Sequence, residues 1–305
     1  MLKTLIRPAM IFIPLGIGMC LPQLHQYAFM LRWLLMVMLF FVFLKLDLKD
    51  LKFRRSHFLL LAANLLIGIG AFLITLYATG NTSLAQAAFF TGITPTATAA
   101  SVVMGFMRGN VGYMVTSFVT TNIGISLALP LLLSWVCGNS SANFMLRVLE
   151  SLIFLLAIPA LAAFILRKLH PDSRKWPAGL AMFNFSLWSV GLLIMAGSAA
   201  EFFRINPEFS PWIIAETAMI SLLLCIFNFT AGYFLGEKEL RHETSQSLGQ
   251  KNTTLTVYLA LIYAGPLAAI GVISYVFWHN TYNAIQLYIF DRRKQLEEKS
   301  KNQEA

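Results

Sequence analysis

The chain has 305 residues, of which 57% are hydrophobic and only 12% are charged. Soluble domains carry charged residues at about one position in four, so this composition excludes an ordinary soluble protein and predicts a helical membrane protein. The long continuous apolar segments exclude a β-barrel, whose strands would be short and alternating. No basic stretch is interleaved with aromatic residues, so the net charge of +9 indicates membrane topology and not nucleic-acid binding.

Ten segments are long and apolar enough to cross a hydrocarbon layer of about 30 Å as helices. The predicted spans are residues 8–24, 28–46, 56–78, 82–107, 110–134, 144–166, 177–199, 211–235, 238–264 and 266–290. The first segment contains Pro8 and Pro14 and has no small-x-small cleavage site. It is therefore interpreted as a span and not as a signal peptide.

Basic residues concentrate at one end of these spans. By position in the links, 19 of the 23 Lys and Arg residues fall on the same side. The positive-inside rule assigns that side to the cytoplasm. The sequence therefore predicts a multi-pass protein embedded in the lipid bilayer, with both termini in the cytoplasm, and we expect this bilayer to be a bacterial inner membrane. Lys251 belongs to neither side, because it falls inside the ninth span.

Two of the predicted spans are interrupted in matching places. Ten spans divide into two five-span repeats, residues 1–138 and 139–291, followed by a charged cytoplasmic tail over 292–305. An odd number of spans in each repeat makes the second insert upside down. The fourth span of each repeat is broken, at Pro95 and near Gly249. Proline cannot continue a helix, and glycine weakens a helix because its backbone is flexible. Matched breaks in inverted repeats predict a transport site at the bilayer midplane.

The helices that restart after the two breaks begin at about Thr98 and Asn252. Helix N-termini present free N–H groups and a positive dipole end, which suits an anionic substrate. Thr98 and Asn252 could contact that substrate or could cap the helices, and both roles are open. A transporter predicts a solvent-reachable cavity that ends at Lys251 and the breaks, whereas a non-transporting protein predicts that this region is packed shut.

The sequence contains no motif of soluble enzymes. Walker A, a GxGxxG after a strand, HExxH and a nucleophile–His–acid set are all missing, so we predict that the protein is not an enzyme. Cys20, Cys137 and Cys225 have neither disulfide nor metal-site spacing, and no metal or other cofactor is expected. His279 is open to two interpretations, a proton relay or a hydrogen-bonded core histidine.

Three motifs together resemble the bile acid:sodium symporter family. The run PTATAASVVMGFMRGNVGYMVTSFVTT, from Pro95 to Thr121, resembles the family's proline-led signature. The run SLGQKN, from Ser247 to Asn252, stands where the family carries a Glu-x-Gly-x-Gln-Asn motif. FWHN, from Phe277 to Asn280, resembles the His-Asn pair of the last helix. The resemblance covers nearly the whole chain, in order.

This resemblance implies a fold and a function. The implied fold is an all-α polytopic membrane protein with ten helices, a six-helix core domain, a four-helix panel domain, and broken helices four and nine that cross. The implied function is sodium-coupled transport of a small organic anion, such as a keto acid, a pantoate-like acid or a bile-acid-like carboxylate, by alternating access. The substrate contacts assigned on this basis are Thr98, Ser101, Lys251 and Asn252.

The sodium sites of the family are degraded in this sequence, if each motif aligns without gaps. The implied ion-site positions are Asn64, Ala100, Ser101, Met114, Phe118, Ser247 and Lys251. Ser247 replaces the motif glutamate and Lys251 replaces the motif glutamine, while Asn64 stands for an amide of helix three. Sodium is a hard cation that needs several oxygen ligands, which methionine and phenylalanine cannot supply.

Three interpretations of Lys251 follow. Its ammonium takes the place and charge of a sodium ion in a sodium-independent carrier, or it exchanges a proton and couples transport to protons. Otherwise it is structural, and sodium binds at a site that the alignment misses. An ammonium at the bilayer centre should contact carbonyls, Asn64 or the substrate carboxylate. The sequence therefore predicts a secondary active or facilitative transporter of a small organic anion that is not coupled to sodium in the usual way, with Lys251 in place of a sodium ion. A family-typical sodium symporter and a non-transporting membrane sensor or partner on this fold are the alternatives, and the oligomeric state is not predicted.

Overall fold

The computed structural model describes residues 13–46, 51–207 and 212–304. Within these ranges the chain is helical, without a β-strand. The helices are α1 (13–19), α2 (Met30–Lys45), α3 (Arg55–Thr79), α4 (Thr82–Ile93), α5 (Ala99–Phe106), α6 (Val111–Val136), α7 (Ala142–Leu169), α8 (Trp176–Gly179), α9 (Ala181–Ile205), α10 (Trp212–Leu235), α11 (Arg241–Gly249), α12 (Thr253–Tyr263) and α13 (Pro266–Glu304). Short 3-10 turns cover Pro22–Tyr27, Pro171–Lys175 and Lys238–Leu240.

Five helices are each long and apolar enough to cross a membrane. They are Arg55–Thr79, Val111–Val136, Ala142–Leu169, Met182–Ile205 and Trp212–Leu235. Their outer faces carry large apolar side chains that the rest of the protein does not cover, such as Leu66, Leu127 and Phe164. Apolar surface of this extent needs lipid around it. The prediction of a helical, membrane-embedded protein is therefore confirmed.

The helices follow the predicted spans, and the two spans with predicted breaks are divided; the predicted span 177–199 is divided as well, between α8 and α9 at Leu180. The predicted span 82–107 consists of α4 and α5, and the predicted span 238–264 consists mainly of α11 and α12. Residues 8–12 of the first predicted span, Ser210 and Pro211 before α10, Lys49 and Ala305 lie outside the described residues. The division into two inverted repeats and into core and panel domains stays a prediction.

The charged tail after residue 291 does not form a separate segment, because α13 continues through it to Glu304. The tail is rich in Lys, Glu and Gln, which are good helix formers. The helix therefore continues beyond its apolar part, because the helix propensity of the sequence does not fall there. The predicted boundary at 291/292 thus separates an apolar from a charged part of one helix.

The broken helices lie in the interior of the bundle. Every residue of α4 from Phe89 to Ile93 and every residue of α11 from Glu243 to Gly249 is buried. α4 is packed against α3, α10, α12 and α13, and α11 is packed against α3, α6 and α10. Since α11 is polar in sequence, its buried side chains need partners inside the protein, and Ser245 Oγ donates to Phe229 O at 2.7 Å.

Helices α3 and α4 approach each other through two glycines near the end of α4. A Cβ atom at Gly68 would lie 2.8 Å from Ile93 Cβ, and one at Gly92 would lie 3.0 Å from Gly68 Cα. Small residues let helices in a membrane pack backbone against backbone. This contact fixes the end of α4, from which the first break begins.

We expect the substitution Gly68→Ala to destabilise the protein by about 1–3 kcal/mol, because the added methyl group overpacks the contact with Ile93. Gly70→Ala is the matched control, since a Cβ there meets nothing within 4 Å on the same helix. The melting temperature of the purified protein in detergent measures both effects. Equal melting temperatures for the two variants would show that the α3–α4 contact is looser than described.

Candidate functional site

The two helix breaks lie against each other and pair through their backbones. Ala97 N donates to Gln250 O at 2.8 Å, and Asn252 N donates to Pro95 O at 2.7 Å. Between these bonds, Thr96 and Lys251 form an isolated antiparallel bridge. Backbone that leaves the helical form at membrane depth must be satisfied by protein or by water in a cavity. Here each break satisfies the other.

Helix α6 holds the first break in place through two side chains. Thr96 N donates to Thr121 Oγ1 at 3.1 Å, and Asn122 Nδ2 donates to Thr96 O at 2.9 Å. Asn122 Oδ1 in turn accepts a hydrogen bond from Asn252 Nδ2 at 3.0 Å. Asn122 therefore links both breaks to α6. From the other side, Thr96 Oγ1 donates to Ser247 O at 2.7 Å.

Gly249 ends α11 in a tightly packed position. The ring of Phe229 lies where its Cβ would be, with Phe229 Cδ1 2.3 Å from that point. Its φ is not among the positive values found for glycines in the described residues, so this glycine is needed for space and not for an unusual backbone angle. The carbonyl of Gly249 accepts a hydrogen bond from Tyr275 Oη at 2.8 Å. The position expected as a soft point is thus held firmly.

Lys251 is buried at the crossing, with 1% of its surface exposed. Its Nζ donates to Asn64 Oδ1 and to Gly92 O, the latter at 3.2 Å. Gly92 is near the C-terminus of α4, where carbonyls lack a helical partner and the helix dipole is negative. Neither acceptor carries a charge, and no carboxylate of the described residues pairs with Lys251. When Lys251 is protonated, its positive charge is therefore not balanced by an anionic side chain of the described residues.

A cavity of about 300 Å³ adjoins Lys251. Both breaks line it, through Thr98 and Asn252 among others, and α13 contributes His279. Apolar walls come from α2 and α9, including Leu39 and Trp188. Mostly apolar walls with a few convergent polar groups are typical of small-ligand sites, and this volume lies at the lower end of their range of about 300–1,000 Å³. The cavity suits a compact ligand with a polar end.

Thr98 and Asn252 both line the cavity, and neither side chain caps the helix that follows it. Asn252 uses its amide to donate to Asn122, as described above. The N-termini of α5 and α12 therefore reach the cavity without a side-chain cap. Ser101, one turn into α5, donates its hydroxyl to Thr98 O at 2.6 Å and so turns back to its own helix.

The positions of the first implied sodium site do not fit a sodium ion. Ala100 and Met114 lie in an apolar cluster together with Leu60 and Met104. Phe118 lines the cavity, and the backbone carbonyl of Ser247 is used by Thr96. Together with Ser101, whose hydroxyl is already bonded to Thr98 O, these side chains offer at most two hydroxyls, whereas sodium needs several oxygen ligands. At this position apolar side chains pack together and leave no set of oxygen ligands for an ion.

The second implied sodium site does not fit a sodium ion either. Asn64 Oδ1 and the Gly92 carbonyl are the kind of oxygen atoms that coordinate a hard cation, but both accept hydrogen bonds from Lys251. The ammonium thus stands among uncharged oxygens, as a bound monovalent cation would. The chain brings Asn64 and Lys251 together although they are 187 positions apart.

Several residues that hold the crossing were not identified from the sequence. They are Thr121, Asn122, Asn228, Gln246, Tyr275 and Asn283. Asn228 Nδ2 donates to Tyr275 Oη at 3.1 Å, and Asn283 donates to Gln250 Oε1. Each is a polar residue within a helix of the bundle, and such residues are expensive in lipid unless they have a structural or functional partner. The presence of these polar residues in otherwise apolar segments was therefore the feature of the sequence that could have identified them.

His279 is buried and lines the cavity. Its ring meets that of Tyr275 edge-on, with 5.5 Å between the ring centroids. Its Nδ1 atom has no hydrogen-bond partner in the described part of the chain, so the interpretation as a hydrogen-bonded core histidine is not supported at that nitrogen. His279 and Lys251 are two titratable groups on the wall of one cavity.

Neither the models of known protein families nor the curated protein sequences contain a match to this chain. The most distinctive feature of the site is the buried amino group of Lys251, which is held where two broken helices cross and lies beside a cavity.

We expect Asn122→Leu to destabilise the protein by about 1–3 kcal/mol, because it leaves Thr96 O and the Asn252 amide without partners in the interior. Thr120→Val is the control on the same helix, since the Thr120 hydroxyl donates only to Thr116 O within the helix. Thermal unfolding in detergent compares the two. A melting temperature for Asn122→Leu as high as that of the control would contradict the linking role of Asn122.

Proposed function

We propose that this protein is a secondary transporter of a small organic anion that works by alternating access without sodium, with the ammonium of Lys251 in the role of the sodium ion. The observation that carries the proposal is the placement of Lys251. Its ammonium is buried at the crossing of two helix breaks, bonded only to uncharged oxygens, beside a cavity of about 300 Å³. A buried charge of this kind in a bilayer is a functional group by default.

The electrostatics of the cavity favour an anion. Two helix N-termini, of α5 and α12, reach its wall and present the positive ends of their dipoles. Lys251 adds a full positive charge that no carboxylate of the described residues balances. A carboxylate in the cavity would complete this charge balance. The apolar walls from α2 and α9 would receive the rest of a compact substrate.

The lysine can also perform the structural part of a sodium ion's role. Its ammonium joins α3, through Asn64, to the end of α4 at Gly92. Its backbone belongs to the second break and bridges Thr96 of the first. One cation therefore ties together the segments that meet at the crossing. Because this cation is covalently attached, the site needs no ion from solution to be assembled.

We also propose the ten-span architecture that resembles bile acid:sodium symporters, with α4–α5 and α11–α12 as the fourth and ninth spans. Helix packing supports two groups. α2 packs on α7 and α9, whereas α3, α4 and α6 pack together with α10 to α13, and the two groups meet mainly where α6 packs on α7. The first group would be the panel and the second the core. Positive charge on one side of the spans supports cytoplasmic termini in a bacterial inner membrane.

Uptake into proteoliposomes tests the transport function. We expect a panel of small carboxylates to include at least one that enters at the same rate in sodium buffer and in choline buffer. A requirement for sodium would contradict the proposal and support a family-typical symporter. Stimulation by an imposed proton gradient would instead assign a transported proton to the site. No uptake of any carboxylate, with folded protein, would favour a non-transporting role.

In the same assay we expect Lys251→Gln to lower uptake by about tenfold or more, because losing the charge removes at least about 1.4 kcal/mol of anion stabilisation. Lys238→Gln removes an exposed lysine in the 3-10 turn before α11 and serves as the matched control. Unchanged uptake by Lys251→Gln would show that the buried lysine is a bystander.

Reporter fusions test the proposed topology. Alkaline phosphatase joined after Gly138 should be active, because the link between α6 and α7 would lie outside the cytoplasm. A fluorescent protein joined to the C-terminus should fluoresce, since that end would lie in the cytoplasm. The opposite pattern would reverse the orientation of every span.

A further inference from the structure

A second cavity, of about 370 Å³, lies at the end of the bundle where the link between α1 and α2 meets the ends of α9 and α12. We call it the vestibule. Its walls include His25 from that link, Glu201 from α9, Tyr258 and Ile262 from α12, and Leu31 from α2. In the proposed topology these links face the outside. The vestibule is therefore separate in position from the central cavity beside Lys251.

Between the vestibule and the central cavity the space narrows to a void of only about 10 Å³, which we call the constriction. It shares Leu31 and Tyr258 with the vestibule. It shares Trp188 and Thr254, among others, with the central cavity. The three spaces thus follow one another along a single line, and the middle one is too small for anything larger than a water molecule.

The walls of this line belong to different helix groups. Leu31 is on α2 and Trp188 is on α9, while Thr254 and Tyr258 are on α12. α12 begins directly after the second break, at Thr253, and so continues from the crossing that holds Lys251. A shift of α12 and the crossing against α2 and α9 would widen the constriction without breaking a helix. Leu31 and Tyr258 are buried and are part of the main apolar core, so they now close it.

The vestibule does not repel an anion. Its carboxylate, Glu201, accepts hydrogen bonds at 2.7 Å from Arg204 Nε and Arg204 Nη2, which form a bidentate pair with it. This pairing balances the negative charge that would otherwise repel a carboxylate substrate. At the other end of the line the central cavity is lined by Val42, near the C-terminus of α2, and by Asn184, near the N-terminus of α9. The proposed topology places both of these helix ends on the cytoplasmic side, so the central cavity extends toward that side.

We infer that the vestibule is the outer mouth of the substrate path, and that Leu31 and Tyr258 form the outer gate, closed in this structure while the central cavity opens inward. This inference rests on the proposed transport function. The gate residues are one side chain on α2 and one on α12, which both belong to the main apolar core and both line the constriction. It assigns to Tyr258 a role in access that is distinct from anion binding at Lys251.

Reaction of single cysteines with a membrane-impermeant thiol reagent tests the gate. Cys20, Cys137 and Cys225 are first replaced by serine, and cysteine is then placed at Ile262 in the vestibule or at Thr254 beyond the constriction. In spheroplasts, which expose the outer face, we expect Ile262→Cys to react rapidly and Thr254→Cys slowly. In inside-out vesicles, Thr254→Cys should react rapidly, because the central cavity opens to that side.

Opening the gate by substitution gives the decisive comparison. Added to Thr254→Cys, the pair Leu31→Ala and Tyr258→Ala should raise the outer labelling rate by about tenfold or more, since the rate follows the population of the open gate. The matched control pair is Leu66→Ala and Tyr77→Ala on α3, which are 68% and 96% exposed. That control pair should leave the labelling rate unchanged.

Two results would overturn the gate. One is rapid outer labelling of Thr254→Cys with Leu31 and Tyr258 intact, and the other is slow labelling that the gate pair does not change. Failure of Ile262→Cys to react from outside would overturn the vestibule. Labelling needs no substrate, so the expected labelling pattern without uptake of any carboxylate would support the gate and contradict the proposed transport of such anions.

Discussion

Two backbone hydrogen bonds, Asn252 N to Pro95 O and Ala97 N to Gln250 O, are the constraint on which the centre of this protein depends. In a bilayer an unpaired backbone group costs several kcal/mol, so neither break could exist without the other. The crossing determines where four helix ends point. The C-termini of α4 and α11 are satisfied by Lys251 and Tyr275, which leaves the N-termini of α5 and α12 for the cavity.

The charge of Lys251 follows from the same geometry. The carbonyl of Gly92 has no backbone partner because α4 ends at Ile93. Thr96 N would donate to this carbonyl in a continuous helix, but here it donates to Thr121 Oγ1. A cation at this point is stabilised by the negative end of α4 and by Asn64. The proposed gate and the proposed anion site are consequences of one arrangement, since α12 continues directly from the residues that hold the ammonium.

Sequence reasoning located the helices and both breaks, because a run of apolar residues and a proline act locally. It placed Asn64 beside Lys251 only through a family resemblance, since no local rule joins positions so distant. It did not identify Asn122 or Tyr275, whose partners are fixed by tertiary packing. Gly249 shows the same limit: a glycine required by its backbone angle and one required by a neighbouring ring look alike in sequence, and here Phe229 decides.

The covalent attachment of the cation has an energetic consequence for any anion that crosses. Over a complete cycle a lysine returns to its starting place, so the only charge moved is that of the anion. Each elementary charge that crosses a potential of 100 mV changes free energy by about 2.3 kcal/mol. In a cell whose interior is negative, a carrier built this way would run outward unless the gradient of its substrate opposes it. With Lys251 as its only cation, the proposed carrier would thus be a voltage-driven exporter of its anion.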